Sequence, residues 1–138
     1  MDIRELNIDY YQDILQLWQS DPNIDLSSAD ERSAILRFLE RNPGTSFVLI
    51  DNTNVVGTVL GGFDGRRGYI YHLFVHPDYR RNGHARALLE RVEKAYMALG
   101  IEKSLVCIFK DNKEADFFWK QMGYDQRGEL EIYSKELS

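Results

Sequence analysis

The chain has 138 residues, a hydrophobic fraction of 43%, a charged fraction of 28% and a formal net charge of −5. That balance fits one compact soluble domain (residues 1–138) with a core of its own, and it argues against a general nucleic-acid binder, which presents a net basic face. Cys107 is the single cysteine, so no internal disulfide and no zinc-thiolate cluster is available; no apolar run approaches the ~20 residues that span a bilayer, the start MDIRELNIDYY does not read as a signal peptide, and the expected setting is a reducing cytoplasm away from membranes.

In chain order, IREL reads as a short first strand, and Tyr11, Ile14, Leu15 and Trp18 then recur at helical spacing. Pro22 and its polar neighbours interrupt that helix. Ser28 with Glu31 predicts a capping box opening a second helix, whose buried stripe is Ile35, Phe38 and Leu39. SFVLI (46–50), VVGTVLGGF (55–63) and YIYHLFV (69–75) read as three strands joined by the turns DNTN and DGRRG, the third apolar enough to be buried on both faces. Ala85, Leu88, Leu89, Val92, Tyr96 and Leu99 mark one face of a long helix that Gly100 stops. SLVCIF (104–109) reads as a buried strand, and Asp111 with Glu114 caps a last helix with Ala115, Phe118, Trp119 and Met122 on one face. ELEIYSKEL reads as a closing strand. Tight turns make the three middle strands antiparallel, and the strand–helix–strand that follows adds a parallel pair. The expected fold class is α/β of the mixed α+β kind: a mixed, mostly antiparallel sheet with helices on both faces.

The junction VHPDYRRNGHAR (75–86) gathers positive charge in an acidic chain. A helix beginning near Asn82 or Gly83 leaves its first N–H groups without intrahelical acceptors, and its dipole adds roughly half a positive charge there. Gly83 lets a ligand approach the backbone, and Arg80 and Arg81 add mobile charge, so the junction suits a phosphate or pyrophosphate. A glycine at a helix start and an arginine pair on a surface loop are also common without any ligand. Neither GxxxxGK[ST] nor GxGxxG occurs.

LFVHPDYRRNGHARALL resembles the signature of the GNAT acyltransferase superfamily, with Arg80, Gly83 and Ala85 at its fixed positions, and NKEADFFWKQMGY (112–124) is similar to that family's second motif. The resemblance runs from about Phe47 to Tyr124 and includes the element order. It implies acetyl-CoA or a related acyl-CoA as donor, with no metal. The pyrophosphate would lie on the backbone of Arg81, Asn82, Gly83, His84 and Ala85. The pantetheine arm would lie along Leu73, Phe74 and Val75, where that strand splays from its parallel neighbour, with Asn112 either reaching the arm or capping its helix. A main-chain N–H near Phe74 or Val75 would polarise the thioester carbonyl, and the acceptor amine would attack directly.

The family's usual acid is a tyrosine in the second motif, where this chain has Trp119, whose indole does not titrate usefully. Tyr124 and Tyr71 are the alternatives for that role. His72, on the donor strand, is the candidate base; its other reading is a hydrogen-bonded core histidine. His76 and His84 are weaker bases at the ligand edge, Cys107 reads as a small buried hydrophobe rather than a nucleophile, and Asp64 supports a turn. The acceptor, a small-molecule or protein amine, has no legible signature, although Asp21 and Asp25 lie in the segment expected to meet it. The expected function is an N-acetyltransferase working as monomer or homodimer; the alternative is a weakly active or inactive CoA-binding sensor on the same fold.

Overall fold

The computed structural model describes residues Met1–Ser138 and divides into two compact units, Met1–Cys107 and Ile108–Ser138. In the first unit five strands lie in the order β1 (Asp2–Glu5), β2 (Phe47–Asp51), β3 (Asn54–Phe63), β4 (Gly68–Val75) and β5 (Ser104–Val106). The first four are antiparallel neighbours, and β5 runs parallel to β4. Three helices belong to this unit: α1 (Tyr11–Gln19), α2 (Arg32–Arg41) and α3 (His84–Ala98). None of the helices is long and apolar enough to cross a membrane.

The two sheet faces separate by residue parity on β3. Leu60 packs in a cluster with Ile14 and Trp18 of α1 and Ile35 of α2. On the other face two positions are crowded: a Cβ at Gly57 would press on Leu49 Cβ, the Phe74 carbonyl and Leu88 of α3, and one at Gly61 would run into the Thr45 carbonyl oxygen and then the Tyr96 hydroxyl and Val92 of α3. Close approach of neighbouring backbone and of α3 together explains glycine inside a strand, where it is otherwise costly. The Tyr96 hydroxyl lies 2.7 Å from the Tyr69 carbonyl and 3.1 Å from that of Gly62, so one donor ties α3 to both strands of the hairpin.

Several boundaries differ from the sequence reading. The capping box is formed by Ser27 and Asp30, around a 3₁₀ turn at Ser28–Asp30, and α2 follows at Arg32. The stripe of α3 is Leu88, Leu89, Val92 and Tyr96; Leu99 is exposed because the helix has ended at Ala98, and Gly100 follows at φ +79°. The strand β4 is not buried on both faces, since Tyr71 is 46% exposed. The strand β5 stops at Val106 with all three residues only half-buried, which leaves Cys107 exposed rather than in the core.

In the second unit α4 (Lys113–Gln121) is capped by Asn112, whose Oδ1 accepts from the Ala115 N–H at 3.0 Å. Trp119 is buried, with the Phe118 and Tyr124 rings 5.3 and 4.8 Å away. Residues 129–138 form no strand, and Leu130, Ile132, Tyr133 and Leu137 are exposed. Alternation gives a segment strand propensity, but without a ladder partner its N–H and C=O groups bond water equally well.

Candidate functional site

The parallel ladder between β4 and β5 ends at Ile70–Val106, while β4 continues five residues further to Val75. The strands splay there. The His76 N–H donates to Val56 O at 2.8 Å, and Gly57 faces Val75 in the β3 register. By antiparallel alternation the N–H and C=O of Val75 point away from β3 and into the splay. The edge that a strand-like ligand would pair with is thus unpaired by β5 at the level of Leu73, Phe74 and Val75, with the Val75 carbonyl held by Arg80 Nε at 2.7 Å.

Beyond β4 the chain turns tightly toward α3. Pro77–Tyr79 forms a 3₁₀ turn capped by His76 Nδ1, which accepts from the Asp78 N–H at 3.1 Å. The Tyr79 hydroxyl donates to Asp51 Oδ2 at 2.7 Å and anchors the turn to the end of β2; that bond to the carboxylate, ahead of burial, raises the Tyr79 phenol above its ordinary range. Arg81 and Gly83 take positive φ values of +67° and +79°, which bend the backbone into the start of α3. No side chain caps this helix, and its first internal bond runs from the Ala87 N–H to Gly83 O. A Cβ at Gly83 would meet nothing within 4 Å, so the approach to the helix start is open, and the φ value is what calls for glycine.

Arg80 does not behave as free charge. Its Nε donates to Val75 O at 2.7 Å, and its guanidinium lies 5.2 Å from the Phe74 ring centre, so it is folded back on the end of β4. Arg81 is exposed, and neither arginine pairs with a carboxylate. His84 and Ala85 are half-buried in the first turn of α3, while Asn82 is exposed and its Nδ2 donates to Arg80 O at 3.2 Å.

His72 stands just before the splayed stretch and is held from three directions. Its backbone has φ +48°, in the left-handed region that costs a non-glycine residue about 1–2 kcal/mol. The β3–β4 register shifts by one between Thr58 and Leu60, opposite this point, so His72 sits in a β-bulge. Thr58 Oγ1, fully buried, donates to His72 O at 2.8 Å and accepts from Trp18 Nε1–H at 2.9 Å. The Trp18 ring lies 4.6 Å from the imidazole centre, inclined by 57°. Nε2 lies 2.8 Å from Asp30 Oδ1, and the His72 side chain keeps 17% exposure.

Asp30, like Thr58, is a member of this group that sequence reasoning passed over. Its other oxygen, Oδ2, accepts from the Ser27 N–H at 3.0 Å, and the Tyr11 hydroxyl donates to its main-chain O at 2.7 Å. Burial pushes the carboxyl up, but the hydrogen bonds from His72 and Ser27 and the charge of the imidazole outweigh it and hold it below the usual carboxylate range. The Tyr11 phenol is raised, first by burial and then by the negative charges of Asp30 and Glu31. The S-x-x-D spacing of Ser27 and Asp30 was the available signal.

Of the alternative acids, Tyr71 is half-exposed beside Phe38, 6.1 Å between ring centres, and burial first, then Cys107 and Tyr69, raises its phenol. Tyr124 is half-buried in the second unit, where its N–H donates to Trp119 O at 2.9 Å. Asp64 accepts from the Arg66 and Arg67 N–H groups at 2.7 and 2.8 Å, the turn role its sequence suggested.

A five-stranded mixed sheet with a splayed β4–β5 pair and an uncapped helix start after β4 is the arrangement of the acetyltransferase (GNAT) family, whose model matches residues 5–124; the chain belongs to that family and is an acyl-CoA-dependent N-acyltransferase. Among its relatives, an acetyltransferase of Photorhabdus laumondii is 33% identical over 146 aligned positions, covering 99% of this chain and 96% of the relative. Two solved structures share the fold. AAC(6')-Iy in complex with the bisubstrate analogue CoA-S-monomethyl-acetylneamine superposes with a TM-score of 0.79 at 17% identity, over 98% of this chain and 97% of that one. A ribosomal-protein-alanine N-acetyltransferase from Brucella melitensis biovar Abortus superposes with a TM-score of 0.75 at 18% identity, over 99% and 98%.

Proposed function

We propose that the protein transfers an acetyl group from acetyl-CoA to a primary amine, with the amine attacking the thioester directly and no acyl-enzyme. The observation that carries this reading is the coincidence, at one end of β4, of a strand edge that β5 leaves unpaired and an uncapped helix start. The residues present suit the donor. Backbone N–H groups of Arg81, Asn82, Gly83, His84 and Ala85 would hold the pyrophosphate, with Arg81 as the nearby free cation. Leu73, Phe74 and Val75 would pair with the pantetheine arm. Asn112 is given the role of α4 cap, since its Oδ1 is already engaged there. Acetyl-CoA supplies an activated acyl group on a thiol whose pKa of ~8.5 makes it a fair leaving group without an acid. Tyr124 and Tyr71 remain the groups to test for that acid.

His72 is the base in this reading. It is partly exposed, immediately precedes the donor stretch, and is held in a strained bulge, the kind of placement that packing alone does not require. An α-amine of pKa ~8 needs little help in losing its proton, and a side-chain amine of pKa ~10.4 needs much more. A low-pKa amine is therefore the acceptor class proposed, whether on a small molecule or a polypeptide.

Titrating acetyl-CoA into the protein while following thermal unfolding tests the donor. Stabilisation of about 2.7 kcal/mol is expected at a hundred times the dissociation constant. No shift at millimolar acetyl-CoA overturns the donor assignment. Thiol release is then followed with an alanine-terminated peptide, neamine and Nα-acetyl-lysine; thermal stabilisation with no release from any of them favours a sensor on the same fold, a reading that Trp119 at the second motif's usual tyrosine position supports.

A further inference from the structure

We infer that Asp30 is a positioning residue for the acyl-transfer reaction: by accepting from His72 Nε2–H it makes Nδ1 the imidazole atom that takes the amine's proton. The inference rests on the reading of His72 as the base. A carboxylate that already accepts from the Ser27 N–H has only acceptor capacity to offer, so the nitrogen 2.8 Å from Oδ1 must carry a hydrogen. In the neutral ring the lone pair is then on Nδ1, and no protein group hydrogen-bonds that atom.

The carboxylate is held rigidly enough to do this. Both its oxygens are engaged, its own carbonyl is fixed by Tyr11, and its side chain is only 10% exposed. No lysine or arginine pairs with it, so the imidazole is its one side-chain ion-pair partner. The groups that meet His72 are few: Asp30 from the turn, Trp18 from α1 and, at its carbonyl, Thr58 from β3. Among these Asp30 alone touches the ring's titrating nitrogens. When His72 takes a proton from the amine at Nδ1, the resulting imidazolium is stabilised by the carboxylate across Nε2, and the proton leaves to solvent through the exposed part of the ring.

Long-range proton–nitrogen spectra of the imidazole rings test the inference, with His72→Gln identifying the signal of His72 among the three histidines. Wild-type protein above neutral pH is expected to show the Nε2–H tautomer. In Asp30→Asn the amide oxygen stays with the Ser27 N–H and the amide NH2 faces Nε2 and donates to it, so the ring shifts to the Nδ1–H tautomer. Turnover near pH 7 falls by about tenfold in His72→Gln, the help an amine of pKa ~8 needs, and by a comparable factor in Asp30→Asn. The double variant is no slower than His72→Gln within about twofold, as expected when one residue acts only through the other. An Nδ1–H tautomer in wild-type protein overturns the inference without recourse to any variant. So does an Asp30→Asn enzyme whose tautomer and turnover match wild type while His72→Gln is slow, and that result leaves the base reading standing. Wild-type turnover in His72→Gln would remove the base reading and the inference together.

Discussion

At the scale of single residues, Asp30 combines burial with enough hydrogen bonding to stay ionised, and this has a consequence for stability that is separate from catalysis. A carboxyl whose folded value lies below its unfolded value of ~3.9 contributes stability that is present above about pH 4 and is lost as pH falls through the folded value. Urea unfolding of wild type and Asp30→Asn should therefore show a gap that persists from pH 7 down to about pH 4.5 and closes only below about pH 4. A gap that closes between pH 5 and 6 would mean that burial outweighs the hydrogen bonds. His72 was legible in the sequence because it is the one titratable residue of its kind on the donor strand. Asp30 was not: it lies 42 positions away, and only the fold brings it to the imidazole. Arg80 shows a different limit: its letter announces positive charge, but only the fold shows that the guanidinium is held by Val75 O and the Phe74 ring rather than mobile.

At the scale of elements, the bulge in β4 changes which residues face α1 and α2. Tyr71 pairs with Leu60 and Phe74 pairs with Thr58, and both of those β3 residues face the α1 side. Residues three apart in one strand thus share a face, which regular two-residue alternation forbids. Thr58 pins this arrangement through His72 O and Trp18 Nε1. Thr58→Val should leave a buried indole N–H without an acceptor and lower unfolding stability by about 2 kcal/mol, while Thr58→Ser keeps most of it. Denaturant melts of the two variants separate the outcomes, and equal melts would show that the hydroxyl holds nothing. Strands β2 to β4 and helix α3 were readable from period and turn chemistry. The bulge was not, since no letter in YIYHLFV marks where parity reverses. The expected closing strand at ELEIYSKEL failed for a related reason: propensity is local, whereas a ladder needs a partner the letters do not name.

At the scale of the whole molecule, the acidic chain carries its cationic stretch between β4 and α3, where the proposed donor's phosphates would lie, and the mixed sheet order follows from tight turns early and one helical crossover late. That architecture was legible because connection length limits which strands can be neighbours. The same sheet order leaves β1 with one partner, β2. Its other side is a row of backbone donors and acceptors, the template on which a strand from another molecule can grow. Asp2, Arg4 and Glu5 occupy that strand and are exposed, and the Asp2–Arg4 contact of 3.0 Å joins two exposed side chains. A surface pair of this kind adds little to folding, typically under ~1 kcal/mol. Its value lies in solubility: fixed charges on an edge make a second chain's approach unfavourable before any hydrogen bond can form. The combined variant Asp2→Asn, Arg4→Gln, Glu5→Gln should melt close to wild type yet scatter light increasingly with concentration, as edges zip together between molecules. A variant that stays as well dispersed as wild type at the same concentrations would show that something other than charge keeps this edge from polymerising.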